Sequence, residues 1–178
     1  MIYRESSVII GFMFERLYPD EYYESAYAIP YEQLYAQGYR GIIYDIDNTL
    51  VPHGAPADLR SIALFDRLKA IGFDMTLLSN NKKARVDMFN KDVNVHTIYK
   101  AGKPKKEGYL EACRLMGTDP TNTISVGDQI FTDVWGAKRA GIRSFMVRYI
   151  DPKEEIQIIL KRRLEYFVLR EYRKRKNI

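Results

Sequence analysis

From Gly41 onward, five short apolar runs alternate with stretches of helical periodicity, and this alternation restricts the fold more than any other feature of the chain. The runs are 41–45 (GIIYD), 73–78 (FDMTLL), 97–99 (TIY), 122–126 (NTISV) and 142–147 (IRSFMV), with helices expected at about 57–71, 82–91, 105–116 and 132–140. Strand, helix and strand in repetition build a parallel sheet covered on both faces. The expected class is therefore α/β, a Rossmann-like three-layer sandwich with a mainly parallel sheet. Gly72, Gly117 and Gly141 stand where each helix needs a left-handed closing residue.

At 178 residues and 46% apolar, the chain can bury one substantial core. No apolar run reaches the roughly 18 residues of a membrane span. The apolar stretch Val8 to Phe14 follows a thin basic front without a small-residue cleavage site, so no secretory signal is expected. Cys113 is the single cysteine, lies on a helical pattern and is read as a buried thiol. Together these features give a cytoplasmic expectation.

Three segments are expected: a tyrosine-rich N-terminal extension over 1–40, a catalytic core over 41–150, and a basic amphipathic helix over 151–178. Nine of fourteen tyrosines lie between Tyr3 and Tyr44, and IPYEQLYAQG reads as a short helix with proline at its first position. Tyr27, Tyr31 and Tyr35 are expected to pack that helix on the domain, an interfacial aromatic belt or a partner surface being the other reading. The net charge is +5, and residues 151–178 hold nine Lys/Arg against five Asp/Glu, so most of the surplus is in that segment.

Asp45 and Asp47 follow the first apolar run directly. Side chains alternate along a strand, so in an extended chain both carboxylates point one way while Ile46 enters the core. Two adjacent negative charges at a strand end require a cation or a proton. A calcium loop is excluded, because Thr49, Leu50 and Pro56 stand where it needs Asp or Asn, Gly and Glu.

Ser79 and Asn80 end the second run, Lys103 follows the third, and Asp128 and Asp133 follow the fourth. In a parallel sheet these positions share one rim. Acidic pairs, hydroxyl and lysine suit a magnesium ion and a phosphoryl group. AGKPKK is not a P-loop, no G-x-G-x-x-G occurs, and His53 and His96 have no metal-ligand spacing.

The ordered set DIDNT, Ser79, Lys103 and GDQIFTD resembles the four motifs of haloacid-dehalogenase-like phosphatases and covers roughly residues 41–147. The resemblance implies Asp45 as nucleophile through an aspartyl-phosphate, and Asp47 as general acid and base. It further implies Thr49, Ser79 and Asn80 as phosphoryl-binding groups and Lys103 as the catalytic cation. Mg2+ is implied on Asp45, Asp128 and the Asp47 carbonyl, with Asp133 orienting a metal-bound water or Lys103. Lys105 and Lys106 are read as solvated charges.

Asp47 and Ser79 are 32 residues apart and Ser79 and Lys103 are 24 apart, enough only for local connections, so no cap domain is expected. An open site suits a large substrate, a membrane surface, or cover by a second subunit in a homo-oligomer. With its N-terminal LYPDEYYESAYAIPYEQLYAQGYRG the chain is similar to the class IIIA, YqeG-type branch of the superfamily, itself similar to phosphatidylglycerophosphate phosphatases. That likeness implies an anionic lipid phosphate as substrate, a step in phospholipid biosynthesis, and peripheral contact with the inner face of a membrane.

Ile156, Leu160, Leu164 and Phe167 form one helical stripe, and Arg162, Arg163 and residues 173–176 are candidates for anionic lipid. The alternatives are a soluble phosphatase for a metabolite, nucleotide or phosphoprotein, whose stripe packs on the sheet, and a basic nucleic-acid-binding module. No recognised nucleic-acid motif supports the last, and no specific nucleic-acid partner is expected.

Overall fold

The computed structural model describes residues 15–152 and 156–176, without the side chains of 156–161. The Val8 to Phe14 stretch and the side chains of Ile156 and Leu160 therefore lie outside the described residues. The strands are β1 (Glu21–Tyr23), β2 (Gly41–Tyr44), β3 (Asp74–Leu78), β4 (His96–Ile98), β5 (Thr123–Gly127) and β6 (Arg143–Val147). They form one sheet in the order β1-β6-β5-β2-β3-β4 with every neighbouring pair parallel. The helices are α1 (Tyr31–Ala36), α2 (Leu59–Ile71), α3 (Lys83–Val93), α4 (Lys106–Met116), α5 (Trp135–Arg139) and α6 (Ile156–Lys176). The α/β, Rossmann-like expectation is thus borne out.

Alternation along the strands divides the core. Ile42 and Tyr44 of β2, Met75 and Leu77 of β3, and Phe145 and Val147 of β6 meet Leu34 of α1, Phe65 and Leu68 of α2, and Phe89 of α3. Ile43 and Leu78 point the other way, onto Tyr109 and Cys113 of α4 and Ala137 of α5. Val168 of α6 joins Met146 and Ile130 in a smaller cluster. Each fully buried side chain of this size contributes roughly 1.5–3 kcal/mol. Cys113 is buried, as the helical pattern implied.

Local signals account for the helix limits. Asp58 accepts from the Ser61 N–H at 2.7 Å and donates its own N–H to Ser61 Oγ, a reciprocal cap that starts α2. Gly72 closes the helix at φ +108°, where a Cβ would lie 2.7 Å from Tyr35 Oη, so glycine is required twice over. Pro30 precedes α1 as its N-cap rather than occupying the first helical position. The region expected as one helix over 132–140 begins instead with a π-helical turn, Ile130–Val134, before α5.

The tyrosines behave as core and ties. Tyr31 is fully buried and donates to Ala26 O at 2.6 Å, Tyr44 donates to Tyr31 Oη at 2.6 Å, and Tyr27 reaches Leu50 O at 2.6 Å. Tyr35 meets Phe73 edge-on at 5.3 Å. These bonds fasten α1 and the segment before it to β2 and the loop beyond.

β1 had no counterpart in the sequence reading. Its three residues are all half-buried, with none of the alternation that marks a core strand, because it is an edge strand pairing only with β6. Asp20 fixes its entry. Its carboxylate accepts from the Ser144 N–H at 2.8 Å, from Ser144 Oγ at 2.7 Å and from Lys138 Nζ at 2.9 Å.

Burial works against the Asp20 charge, but the Ser144 and Lys138 donors outweigh it and hold the carboxyl below its ordinary value. Such a group stabilises the fold above the unfolded carboxyl value of about 3.9 and loses that contribution as pH falls through the folded value. Asp20→Ala should therefore cost roughly 1–2 kcal/mol at neutral pH. In thermal unfolding across a pH series, its Tm deficit relative to wild type should narrow below about pH 4.

Candidate active site

The sheet order places a topological switch at its centre. From β2 the chain runs outward through β3 to β4 and then returns to β5 on the opposite side of β2. The crevice beyond the carboxyl ends of β2 and β5 is where such sheets bind ligands. Asp45 follows β2 and Asp128 follows β5, so both stand at that crevice.

The chain does not continue extended from Asp45 to Thr49. The N–H groups of Thr49, Leu50 and Val51 turn back to Ile46 O, Asp47 bridges Val51, and Asn48 adopts φ +62°. Asn tolerates this left-handed backbone better than most residues. Ile46 is fully buried, while the two carboxylates take different partners.

Asp45 Oδ1 accepts from Lys103 Nζ at 2.5 Å, and Thr49 Oγ1 lies 3.3 Å from Asp45 Oδ2. Asp47 instead accepts from the Gly54 N–H (2.7 Å), Asn81 Nδ2 (2.7 Å) and Arg85 Nη2 (2.9 Å). His53 Nδ1 is 3.8 Å from the same carboxylate.

Lys103 is the centre of the charge arrangement. Its Nζ donates to Asp45 and, at 2.7 Å, to Asp133 Oδ1. Burial opposes the ammonium charge, yet Asp133 and Asp45 outweigh it and hold the amine well above its ordinary value. Asn80 accepts from the Lys103 N–H at 2.7 Å and directs its amide at Lys103 O, so both ends of its side chain grip the lysine main chain. Ser79 is buried, and its Oγ accepts from the Asn81 N–H. Lys105 and Lys106 are exposed.

Asp133 sits on the π-helical turn, a form that recurs at functional sites. Its second oxygen accepts from the Gln129 N–H at 3.1 Å. A Cβ on Gly127 would come within 2.4 Å of Asp133 Cβ and Cγ, so the glycine makes room for the carboxylate. Tyr109 braces the turn by donating towards Thr132 O (3.1 Å) and Asp133 O (3.3 Å).

Asp128 is fully buried, and burial raises its carboxyl well above the ordinary value against the opposing pull of Arg162. Arg162, on α6, donates through Nη1 to Asp128 O at 2.6 Å and through Nη2 to Asp128 Oδ2. The sequence reading placed Arg162 among lipid-facing cations; the structure commits it to the site. Glu165, two per cent exposed, secures this contact by bonding Arg162 Nη1 at 3.0 Å and the Ile130 N–H at 2.7 Å.

Asp45, Asp128 and Asp133 each offer one oxygen, all within 4.8 Å of one another. Burial is the main cause that pushes Asp45 up to about 6, with Lys103 pulling down and Asp133 and Asp47 pushing further up. The Thr49 hydroxyl is also 3.3 Å from Asp128 Oδ1 and carries one proton for two carboxylates. Concentrated hard oxygen donors with this unmet demand for positive charge fit a divalent cation of the magnesium type.

The haloacid dehalogenase-like hydrolase family matches residues 58–141. A probable phosphatase, YqeG of Bacillus subtilis, is 37% identical over 130 residues, covering 72% of this chain and 76% of its own. The haloacid dehalogenase-like hydrolase domain-containing protein 2 of Bos taurus is 45% identical over 47 residues, covering 26% of this chain and 18% of its own. An uncharacterized Listeria monocytogenes protein shares the fold at a TM-score of 0.51 and 17% identity, over 65% of this chain and 85% of its own. The chain belongs to the haloacid dehalogenase-like hydrolase family and is a phosphatase, as its motifs implied.

Arg85, Asn81, Tyr109 and Arg162 were not singled out as site residues from sequence. Arg85 is half-buried and pairs with Asp47, while its buried Nη1 has no partner among the described residues. Asn81 directly follows the recognised Ser79 and Asn80, a position that could have drawn attention to it.

Millimolar Mg2+ should raise the Tm of the wild-type protein, by up to about 2.7 kcal/mol of stabilisation at a hundredfold excess over Kd. The shift should vanish in Asp128→Asn, which keeps the volume and removes the charge. Differential scanning fluorimetry with and without Mg2+ measures both.

Proposed function

We propose that this phosphatase removes the terminal phosphate of phosphatidylglycerophosphate, or a lipid phosphomonoester of the same form, at a membrane surface. The observation that carries the reading is the dual role of α6. Its Arg162 holds Asp128, while Leu164 and Phe167, each 56% exposed, face outward from the same helix. A helix lying on anionic lipid by these residues would hold the catalytic domain at the membrane surface.

Among the described side chains of α6 the buried ones are Glu165, Val168 and Tyr172, so Leu164 and Phe167 of the expected stripe do not pack on the sheet. Between β2 and β3 the chain inserts only a loop and α2, and between β3 and β4 only α3. The rim is open to a substrate anchored elsewhere. No helix among the described residues is long and apolar enough to cross a membrane, which suits peripheral contact.

In the reaction, an Asp45 oxygen forms a bond to phosphorus as the bond to the leaving alkoxide breaks, giving an aspartyl-phosphate. Asp47 gives the leaving oxygen its proton and later takes one from the water that releases inorganic phosphate. Lys103, fixed between Asp45 and Asp133, offsets the charge of nucleophile and phosphate. Thr49 and Ser79 donate to phosphoryl oxygens in this reading. Magnesium held by Asp45, Asp128 and the Asp47 carbonyl would polarise the phosphoryl group.

Wild-type protein with Mg2+ should release phosphate from phosphatidylglycerophosphate in liposomes faster than from soluble phosphoesters. Asp45→Asn or EDTA should each reduce that release to background. Release from soluble esters alone would overturn the lipid assignment and retain the phosphatase.

A further inference from the structure

Beside the catalytic crevice, between the carboxyl ends of β1 and β6 and the flank of α6, lies a cavity of about 420 Å³ that none of the catalytic roles uses. Its position follows from the register. Gly127 of β5 pairs with Met146 of β6, so Asp128 and the residues after Met146 leave the sheet at one level, one strand spacing apart. The segment after β6 is also tied to the catalytic loop, through Ile150 N–H to Asn48 O and Asp151 N–H to Asn48 Oδ1, each at 3.2 Å. Arg162 belongs to both places: it bonds Asp128 and lines the cavity.

The charge of the walls selects the occupant. Arg148, Arg162 and Arg173 line the cavity, against two carboxylates. Glu165 is buried, with its oxygens engaged by Ile130 and Arg162. Glu24 stands 3.6 Å from Arg148 with both side chains mostly exposed, a contact an incoming anion can replace. Guanidinium groups converging from a strand end and a helix suit the tetrahedral oxygens of a phosphate. Tyr149 and Tyr166 line the same cavity and are exposed at 40% and 62%. These two rings give the mouth of the cavity an apolar border.

We propose that this cavity is a second phosphate subsite, which holds the phosphodiester of a substrate whose terminal phosphomonoester faces Asp45. The assignment rests on the phosphatase reading above and adds a specificity element to it. A glycerol linker joins the two phosphates across the Arg162 partition, and the acyl portion leaves over the apolar border. Arg148 and Arg173 are then specificity residues.

The test compares kcat/KM for three substrates: micellar phosphatidylglycerophosphate, its deacylated water-soluble head group, and glycerol 3-phosphate. Wild-type protein should prefer both two-phosphate compounds to glycerol 3-phosphate. In Arg148→Gln/Arg173→Gln that preference should fall about tenfold or more, mainly through KM, the equivalent of one lost charge-assisted hydrogen bond. Equal loss on all three substrates, no loss, or selectivity for the lipid without selectivity for the free head group would overturn the subsite.

A second readout is independent of turnover. Calorimetric binding of the deacylated head group to full-length Asp45→Asn should weaken about tenfold when Arg148 and Arg173 are also replaced by Gln. Affinity indifferent to those arginines would overturn the subsite, whereas such a loss without hydrolysis by the wild type would retain it and reject the catalytic assignment. Both side chains are exposed, so the replacements should leave folding intact.

Discussion

A single ammonium group organises the catalytic end of this protein. Lys103 Nζ stands between Asp45 and Asp133, contributed after β2 and by the turn after β5, in a place where water screens little. Without it, three clustered carboxylates would repel one another in a medium of low dielectric. The nearby structure holds this cation in position. Asn80 fixes its main chain, the π-helical turn carries Asp133 back towards it, Gly127 leaves room, and Tyr109 braces the turn. Arg162 performs a parallel task for Asp128 from the far side, so the cluster is balanced from two directions.

That arrangement separates two carboxylates only one residue apart in sequence. Asp45 faces the ammonium and the acidic cluster, whereas Asp47 faces Arg85 and Asn81. The turn at Asn48 makes the separation possible, since a regular strand would have pointed both groups into one field. The two carboxylates therefore stand in two different electrostatic surroundings, as the separate tasks proposed for them require.

The sheet was legible because its strands are short apolar runs bounded by glycine or polar residues, and because parallel strands necessarily carry their following loops to one rim. Asp45, Lys103, Asp128 and Asp133 could be brought together on that basis alone. β1 could not be read, since an edge strand of sequence EYY carries no alternation and gains its identity only from β6. Arg162 was hidden differently. It lies 34 residues beyond Asp128 within a stretch full of similar cations, and only the docking of α6 distinguishes it from exposed Arg163. Asn80 was legible as a residue of the site, but its contact with the Lys103 main chain depends on a loop that propensity does not describe.

The pairing of β1 with β6 also sets an order of events. Residues 21–23 find their partner only at 145–147, and Asp20 finds Ser144 at a separation of 124 residues. During synthesis the early segment is therefore made long before the strand that completes its hydrogen bonds has left the ribosome. At the other end of the described chain, Tyr18 meets Tyr172 and Arg175 meets Glu15, so α6 is held by residues that precede β1. The central strands β2, β3 and β5 can pair before the outer segments meet their distant partners.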